Sequence, residues 1–390
     1  MLNNDFIYLD NAATTRVRDE VFAAATPFLT SNYGNPSSKI YPMANEAKKA
    51  VETARQQVSL LIGAAEKEIY FTASGTEANN WAIRGVAEMH RGKGNHIITS
   101  AIEHHAVLHV CQYLEKNGFE VTYLPVDEYG LVDPAEVKNA IKPETILITV
   151  MFANNEIGTI QPIAEIGLIA REAGVLFHTD AVAAAGLVPI NVSEMHIDLL
   201  TLSGHKFHAM KGVGALYIRK GTKIAHALYG GGQERGRRAG TENVAGVVAM
   251  GKAAEIALAE MPHESKRLSA LRDRLIKKIL TSIPHTKLNG HPIKRVPGNV
   301  NISFKFIEGE SMLLLLSMKG IYVSSGSACA SDSLDPSHVL LATGLPHEEA
   351  HGSLRLTLGF DNTDADVDKV LAELPPIIDK LRQMSPLYRP

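Results

Sequence analysis

Ile69-Tyr70-Phe71-Thr72-Ala73-Ser74-Gly75-Thr76-Glu77-Ala78-Asn79 is the stretch on which the reading of the fold turns. Its first four residues are apolar or β-branched and read as a buried strand. They run into a turn of small residues, and a helix follows over 79–88. Strand, turn and helix start together make an anion site, because the free N–H groups of a first helical turn and the helix dipole point into the turn. The Ser74 and Thr76 hydroxyls suit a phosphate; a plain N-cap at either residue fits the same pattern.

Outward from this stretch the pattern repeats. His96–Ser100 reads as a strand, with a helix from His104 to about Asn117. Thr145–Met151 reads as a strand that ends in the polar turn Phe152–Gly158, and Ile163–Ala173 as a helix. Val175–Asp180 is a strand closing on a carboxylate. Ile197–Leu202 leads into Ser203-Gly204-His205-Lys206, and Lys211–Ile218 holds a second strand-like run. Strands alternating with helices predict a parallel sheet with helices on its faces. Such sheets bind ligands beyond the carboxyl ends of their strands, where Thr76, His104, Asn155, Asp180 and Lys206 all fall. A lysine desolvated there becomes a nucleophilic amine able to form a Schiff base with an aldehyde such as pyridoxal 5′-phosphate, PLP. A surface turn lysine is the local alternative, and the shared position of the five residues weighs against it.

Ala44–Leu61 has helical spacing, and Tyr229–Thr241 is Gly-rich and basic. Val244–Glu260 reads as a long helix able to cross between domains, followed by a charged amphipathic stretch over Pro262–Ile283. From Ile302 onward the pattern changes to that of a smaller second domain. Within it, Ser324–Ser333 sets Cys329 among small polar residues with no apolar face, the setting of a reachable thiol on a mobile loop. Cys111 instead follows the apolar spacing of its helix and reads as core. His105 and His109, four apart, read as a solvated helix face rather than a metal pair, since no third ligand is apparent. Arg355 stands alone on the apolar strand Ser353–Gly359; a carboxylate ligand and an edge-strand ion pair fit it equally.

Composition narrows the class. With 39 basic and 42 acidic residues the net charge is -3, which excludes an electrostatic nucleic-acid or membrane binder. Two cysteines are too few for a disulfide framework or a structural zinc site, which points to the reducing cytoplasm. No apolar run reaches membrane-spanning length, and Met1–Asp10 lacks a signal-peptide layout.

Taken in order, Ser74–Asn80, Glu103–Val107, Asn154–Gly158, Ser203–Lys206, Gly236–Asn243 and Ser324–Ala330 resemble the NifS/IscS-type cysteine desulfurases. The likeness covers nearly the whole chain. The Cys-bearing segment followed by Leu334–Leu340 is similar to the long-loop group. The resemblance implies an α/β, aspartate aminotransferase-like PLP-dependent fold of type I. A large domain with a mainly parallel sheet, 15–258, would bind PLP. A smaller α+β domain, 1–14 with 259–390, would carry the Cys loop at about 324–335.

Residue roles follow from the resemblance. Lys206 would carry PLP, Asp180 would pair with its ring nitrogen, and His104 would stack on its face. Gly75, Thr76, Ser203 and His205 would hold the phosphate. Thr241 would reach the phosphate of a neighbouring subunit in a homodimer. Asn155 and Arg355, with Asn35, would fix the L-cysteine substrate, and Asn155 also faces the cofactor. Cys329 would be the nucleophile that takes up sulfur as a persulfide, and a possible shared iron–sulfur ligand with a scaffold protein or other acceptor. Selenocysteine lyases and other class-V PLP aminotransferases or lyases share this pattern in part. One departure stands out: three residues after Asp180 the family has glutamine, whose amide donates to the ring 3-oxygen, and this chain has Ala183.

Overall fold

The computed structural model describes residues 6–325 and 336–389. Its strands in chain order are β1 (Ile7–Tyr8), β2 (Ile69–Thr72), β3 (His96–Ser100), β4 (Glu120–Leu124), β5 (Thr145–Thr149) and β6 (Leu176–Asp180). They continue with β7 (Leu199–Ser203), β8 (Gly214–Ile218), β9 (Thr286–Leu288), β10 (Asn299–Phe304), β11 (Ile321–Tyr322) and β12 (Ser353–Thr357).

A seven-stranded sheet runs in the order β2-β8-β7-β6-β5-β3-β4. Strands β2, β3, β5, β6, β7 and β8 are buried along their whole length or all but one residue, as expected of strands covered on both faces. The pairs from β4 through β7 are parallel. Strand β8 is the exception in this mainly parallel sheet and runs antiparallel to both β7 and β2. The connection over 204–213 is the reason, since a parallel return needs a crossover of a dozen or more residues. Lys206 sits in the 3₁₀ turn Gly204–Lys206 at the start of that connection.

A second sheet, in the order β12-β10-β9, is antiparallel throughout. The N-terminal segment joins it, because Asp10 bridges Thr357 in parallel and β1 pairs with β11.

One helix, Val244–Ser282, spans 39 residues with Pro262 inside it, where the sequence suggested two stretches. A proline in a helix interior costs about 3 kcal/mol. Burial outweighs that cost. Ala249, Met250, Ala253 and Ala254 enter the core of the large sheet. Leu268, Leu271, Leu275 and Ile279 enter the core of the small one. Each buried leucine or isoleucine contributes about 1.5–3 kcal/mol. The helix therefore ties both cores together. No described helix is long and apolar enough to cross a membrane.

Candidate active site

The carboxyl ends of β2, β3, β5, β6 and β7 open onto a cavity of about 430 Å³. Ser74 is the N-cap of the helix Gly75–His90, its Oγ accepting from Glu77 N at 3.1 Å, so this helix begins four residues earlier than the sequence suggested. The first-turn N–H groups of Gly75 and Thr76 have no carbonyl behind them in the helix and face the cavity end of β2. A Cβ on Gly75 would lie 3.0 Å from Val182 Cγ2 and 3.2 Å from Ser203 Cβ. Only glycine lets the helix start come this close to the turn after β6. Ser203 and His205 line the same region. Burial, then the Lys206 and Lys211 charges, push the His205 imidazole down to about 4, so it is neutral at physiological pH.

Asp180 ends β6 and is 5% exposed. Its Oδ2 accepts from Asn79 Nδ2 at 2.6 Å and its Oδ1 from Val182 N at 2.9 Å. Both donors are neutral. A buried carboxylate of this kind suits a cationic partner inside the cavity. His104 caps the helix His105–Glu115, its Nδ1 accepting from Ala106 N at 3.0 Å. That bond leaves the remaining proton on Nε2. Burial lowers the His104 pKa; the Asp180 charge opposes this and the Lys206 and His109 charges reinforce it. Lys206 Nζ donates to the Ala12 carbonyl and, at 2.8 Å, to that of Ala13.

Arg355 on β12 lines the cavity from the other sheet and is 2% exposed. Its Nη2 donates to Asp10 Oδ1 at 2.9 Å and its Nη1 to the Asn155 carbonyl at 3.4 Å. Nε is buried without a partner among the described residues. Strand β12 is an edge strand, and the ion pair left open by the sequence is present. Asn155 lines the cavity.

Three kinds of group expected for PLP thus share one cavity: an amine at Lys206, a buried carboxylate at Asp180, and a helix start with Ser203 for a phosphate. The residues present fit the cofactor. Ala183 lies on the same wall and brings no donor.

Other expectations fall outside this cavity. Asn35 is exposed, its Oδ1 accepting from Ser37 N at 2.9 Å, and Thr241 is exposed just before the long helix. Neither lines the cavity. Cys329 lies outside the described residues. Cys111 is fully buried and its thiol is pushed up to about 12 by burial, so it is an inert core residue, as its spacing predicted. His105 and His109 stack at 4.8 Å, and His338 joins them at 4.9 Å from His105. No group able to hold a metal occurs among the described residues.

Sequence reasoning missed Asn79, Glu103 and Asp10. Asn79 had a signal: one helical turn after Gly75, it returns to the face that meets the sheet. Glu103 had a weaker one in the spacing Ser100-x-x-Glu103; Ser100 Oγ does donate to Glu103 Oε1 at 2.6 Å. Asp10 had none, because its partner is 345 residues away.

The aminotransferase class-V model matches residues 7–370. A cysteine desulfurase IscS from Methanosarcina thermophila is 61% identical over 384 residues, which is 98% of this chain and 95% of that protein. A solved NifS-like protein superposes with a TM-score of 0.91 at 38% identity, covering 96% of this chain and 100% of that one. The structure of SspA in complex with cysteine gives 0.80 at 37% identity, covering 90% of this chain and 98% of that one. The type I fold expected from the sequence holds. Family model, identity and architecture agree, and the chain belongs to the aminotransferase class-V family.

Proposed function

We infer that this protein is a PLP-dependent cysteine desulfurase, a sulfurtransferase acting on L-cysteine. The observation that carries the inference is the convergence of Lys206, Asp180 and His104 with Arg355 on one cavity, in a chain 61% identical to a cysteine desulfurase IscS. L-cysteine and the Cys329 thiol become L-alanine and a Cys329 persulfide. The substrate C–S bond breaks, an S–S bond forms, and the thiol hydrogen ends on the alanine.

When bound, PLP supplies an electron sink for negative charge developing at the substrate Cα. The side chains do the rest. Gly75 N–H, Thr76, Ser203 and His205 hold the phosphate. Asp180, fixed by Asn79 and the Val182 N–H, keeps the ring nitrogen protonated. Lys206 anchors the cofactor, then serves as the base at Cα. His104, its pKa lowered by burial, would help hold the cofactor ring. Asn155 and Arg355 orient the substrate carboxylate, so that Cα presents its proton to Lys206. The Cys329 thiolate attacks the substrate sulfur.

The exposed Thr241 acts across a homodimer, at the partner's phosphate site, and Asn35 acts at the substrate. The persulfide goes to an iron–sulfur scaffold protein in the cytoplasm, with Cys329 available as a shared cluster ligand at hand-over. The large domain is 15–258 and the small one 1–14 with 259–390.

The test is incubation with L-cysteine, then mass spectrometry for one added sulfur on Cys329 with alanine measured in parallel. Cys329→Ala should keep PLP and lose both sulfur adduct and sulfide. Undiminished alanine release by Cys329→Ala would refute the assignment. Faster turnover of selenocysteine than of cysteine would redirect it to a selenocysteine lyase.

A further inference from the structure

The guanidinium of Arg355 has few ways to hold still by itself. It has several rotatable bonds, and its hydrogen bond to the Asn155 carbonyl is long, at 3.4 Å. The close contact is Asp10 Oδ1 at 2.9 Å from Nη2. Asp10 is itself fastened. Tyr8 Oη donates at 3.0 Å to the carbonyls of both Asp10 and Thr14. Asn11 Nδ2 donates to the Thr357 carbonyl at 2.8 Å, and Ala12 N to Thr357 Oγ1 at 2.8 Å. Thr357 lies two residues beyond Arg355 on the same strand and bridges Asp10 directly. Carboxylate and guanidinium thus share one rigid frame.

We propose that Asp10 is a positioning residue for substrate recognition: it holds the Arg355 fork in the one orientation that receives the α-carboxylate of an amino acid. The inference rests on the desulfurase reading and adds to it the element that sets carboxylate selectivity. Each terminal nitrogen of the fork is engaged by one protein oxygen and carries a second N–H. The remaining capacity suits an anion entering from the cavity. An arginine already fixed in place loses less rotamer freedom when a ligand arrives, and affinity rises accordingly. The role of Asp10 is orientation and not charge, since its own negative charge opposes a second carboxylate. Asparagine, which keeps an acceptor oxygen and drops the charge, is therefore the conservative variant.

The probes are L-alanine and ethylamine, which share an amine and differ in the carboxylate. Calorimetric titration of the holoenzyme gives the ratio of their dissociation constants; PLP content and melting temperature confirm folding. Asp10→Ala should weaken L-alanine about tenfold and leave ethylamine within twofold, with KM for L-cysteine rising and kcat nearly kept. Asp10→Asn should bind L-alanine at least as tightly as the unaltered protein. Equal weakening of both probes, or no change in either, would overturn the proposal in favour of a purely structural ion pair. Arg355→Ala separates the two levels. If it leaves the ratio unchanged, the carboxylate site is misassigned and the functional reading of Arg355 falls. If it collapses the ratio while Asp10→Ala does not, only the role of Asp10 falls.

Discussion

Replacing Glu103 by glutamine removes an ionisable group from beside His104 while keeping its shape. Glu103 is fully buried. Its Oε1 accepts from Ser100 Oγ at 2.6 Å and from Met151 N at 2.8 Å, and its Oε2 has no partner among the described residues. Burial outweighs the two hydrogen bonds, which act in the opposite direction, and pushes the carboxyl up to about 8 from 4.5. The native protein therefore keeps a proton that the unfolded chain has released. The contribution of this group to stability is fully present below the unfolded value and is lost as pH rises through the folded one. Glutamine cannot ionise, and its oxygen still accepts from Ser100 and Met151. Between pH 5 and 8 the variant should gain about 3.5 kcal/mol on the parent, at ~1.4 kcal/mol per pH unit with the slope fading near the top. A buried amide N–H without an acceptor lowers the variant by about 1–3 kcal/mol at every pH, which moves the crossing point and not the slope. At ~2 °C per kcal/mol, the difference in melting temperature should swing by about 7 °C. A difference that stays flat over this range would refute the burial argument. The consequence for the site is electrostatic. The Asp180 charge is one of the influences that raise the Glu103 pKa, and a neutral Glu103 spares Asp180 a like charge, which favours the role proposed for Asp180 at the cofactor ring nitrogen.

Two further predictions follow from the same geometry. Ala183→Gln adds an amide donor to the cavity wall and should slow PLP loss about 2- to 10-fold, the range of one net hydrogen bond, with a shifted cofactor absorbance band; an unchanged release rate and spectrum would show that the side chain at 183 does not reach the cofactor. Glu234→Ala removes the buried carboxylate from Arg55, which keeps only the exposed Glu52 at 3.3 Å and the Ile69 carbonyl; Glu234 accepts from Arg55 Nη1 at 2.8 Å, from Arg55 Nη2 at 3.0 Å and from Phe71 N at 2.9 Å. The expected loss is about 3–5 kcal/mol in denaturant unfolding, and a loss below ~1 kcal/mol would mean that water reaches Arg55 in the native state.

What the sequence could convey depended on how local the physics was. The strand His96–Ser100 and the helix Ile163–Ala173 have the bounds their patterns suggested, because burial period and caps are written into neighbouring residues. Lys206 and Asp180 were legible for the same reason: each marks the polar end of an apolar run. The turn between β7 and β8 was legible from the glycines that interrupt two apolar runs, and its short length over 204–213 is what makes β8 antiparallel. The continuity of Val244–Ser282 through Pro262 was not legible, since the compensating burial comes from two separate cores. His338 behaves likewise. It meets His105 from far along the chain, and only the fold places a third imidazole beside the two that the helix spacing pairs.

The segment Asp10–Thr15 looked like a plain polar turn, yet it links the two halves of the site. Its Ala12 and Ala13 carbonyls accept from Lys206 Nζ. Thr15 N and Thr15 Oγ1 both donate to the His205 carbonyl at 2.9 Å, and Thr14 Oγ1 lies 3.2 Å from His205 Nδ1. Asp10 holds Arg355 from the other sheet. The lysine turn belongs to the large sheet and the arginine to the small one, so neither core alone sets the distance between amine and guanidinium. In the proposed function a substrate has its amino group at Lys206 and its carboxylate at Arg355 and would span that distance, and an error of about 1 Å in such positioning costs on the order of 10²-fold in rate. On that reading, six residues that contribute little to either core hold the geometry on which turnover depends. Substitutions there should change kinetics, with a cost in stability as well at Asp10, whose loss leaves Arg355 buried without its carboxylate.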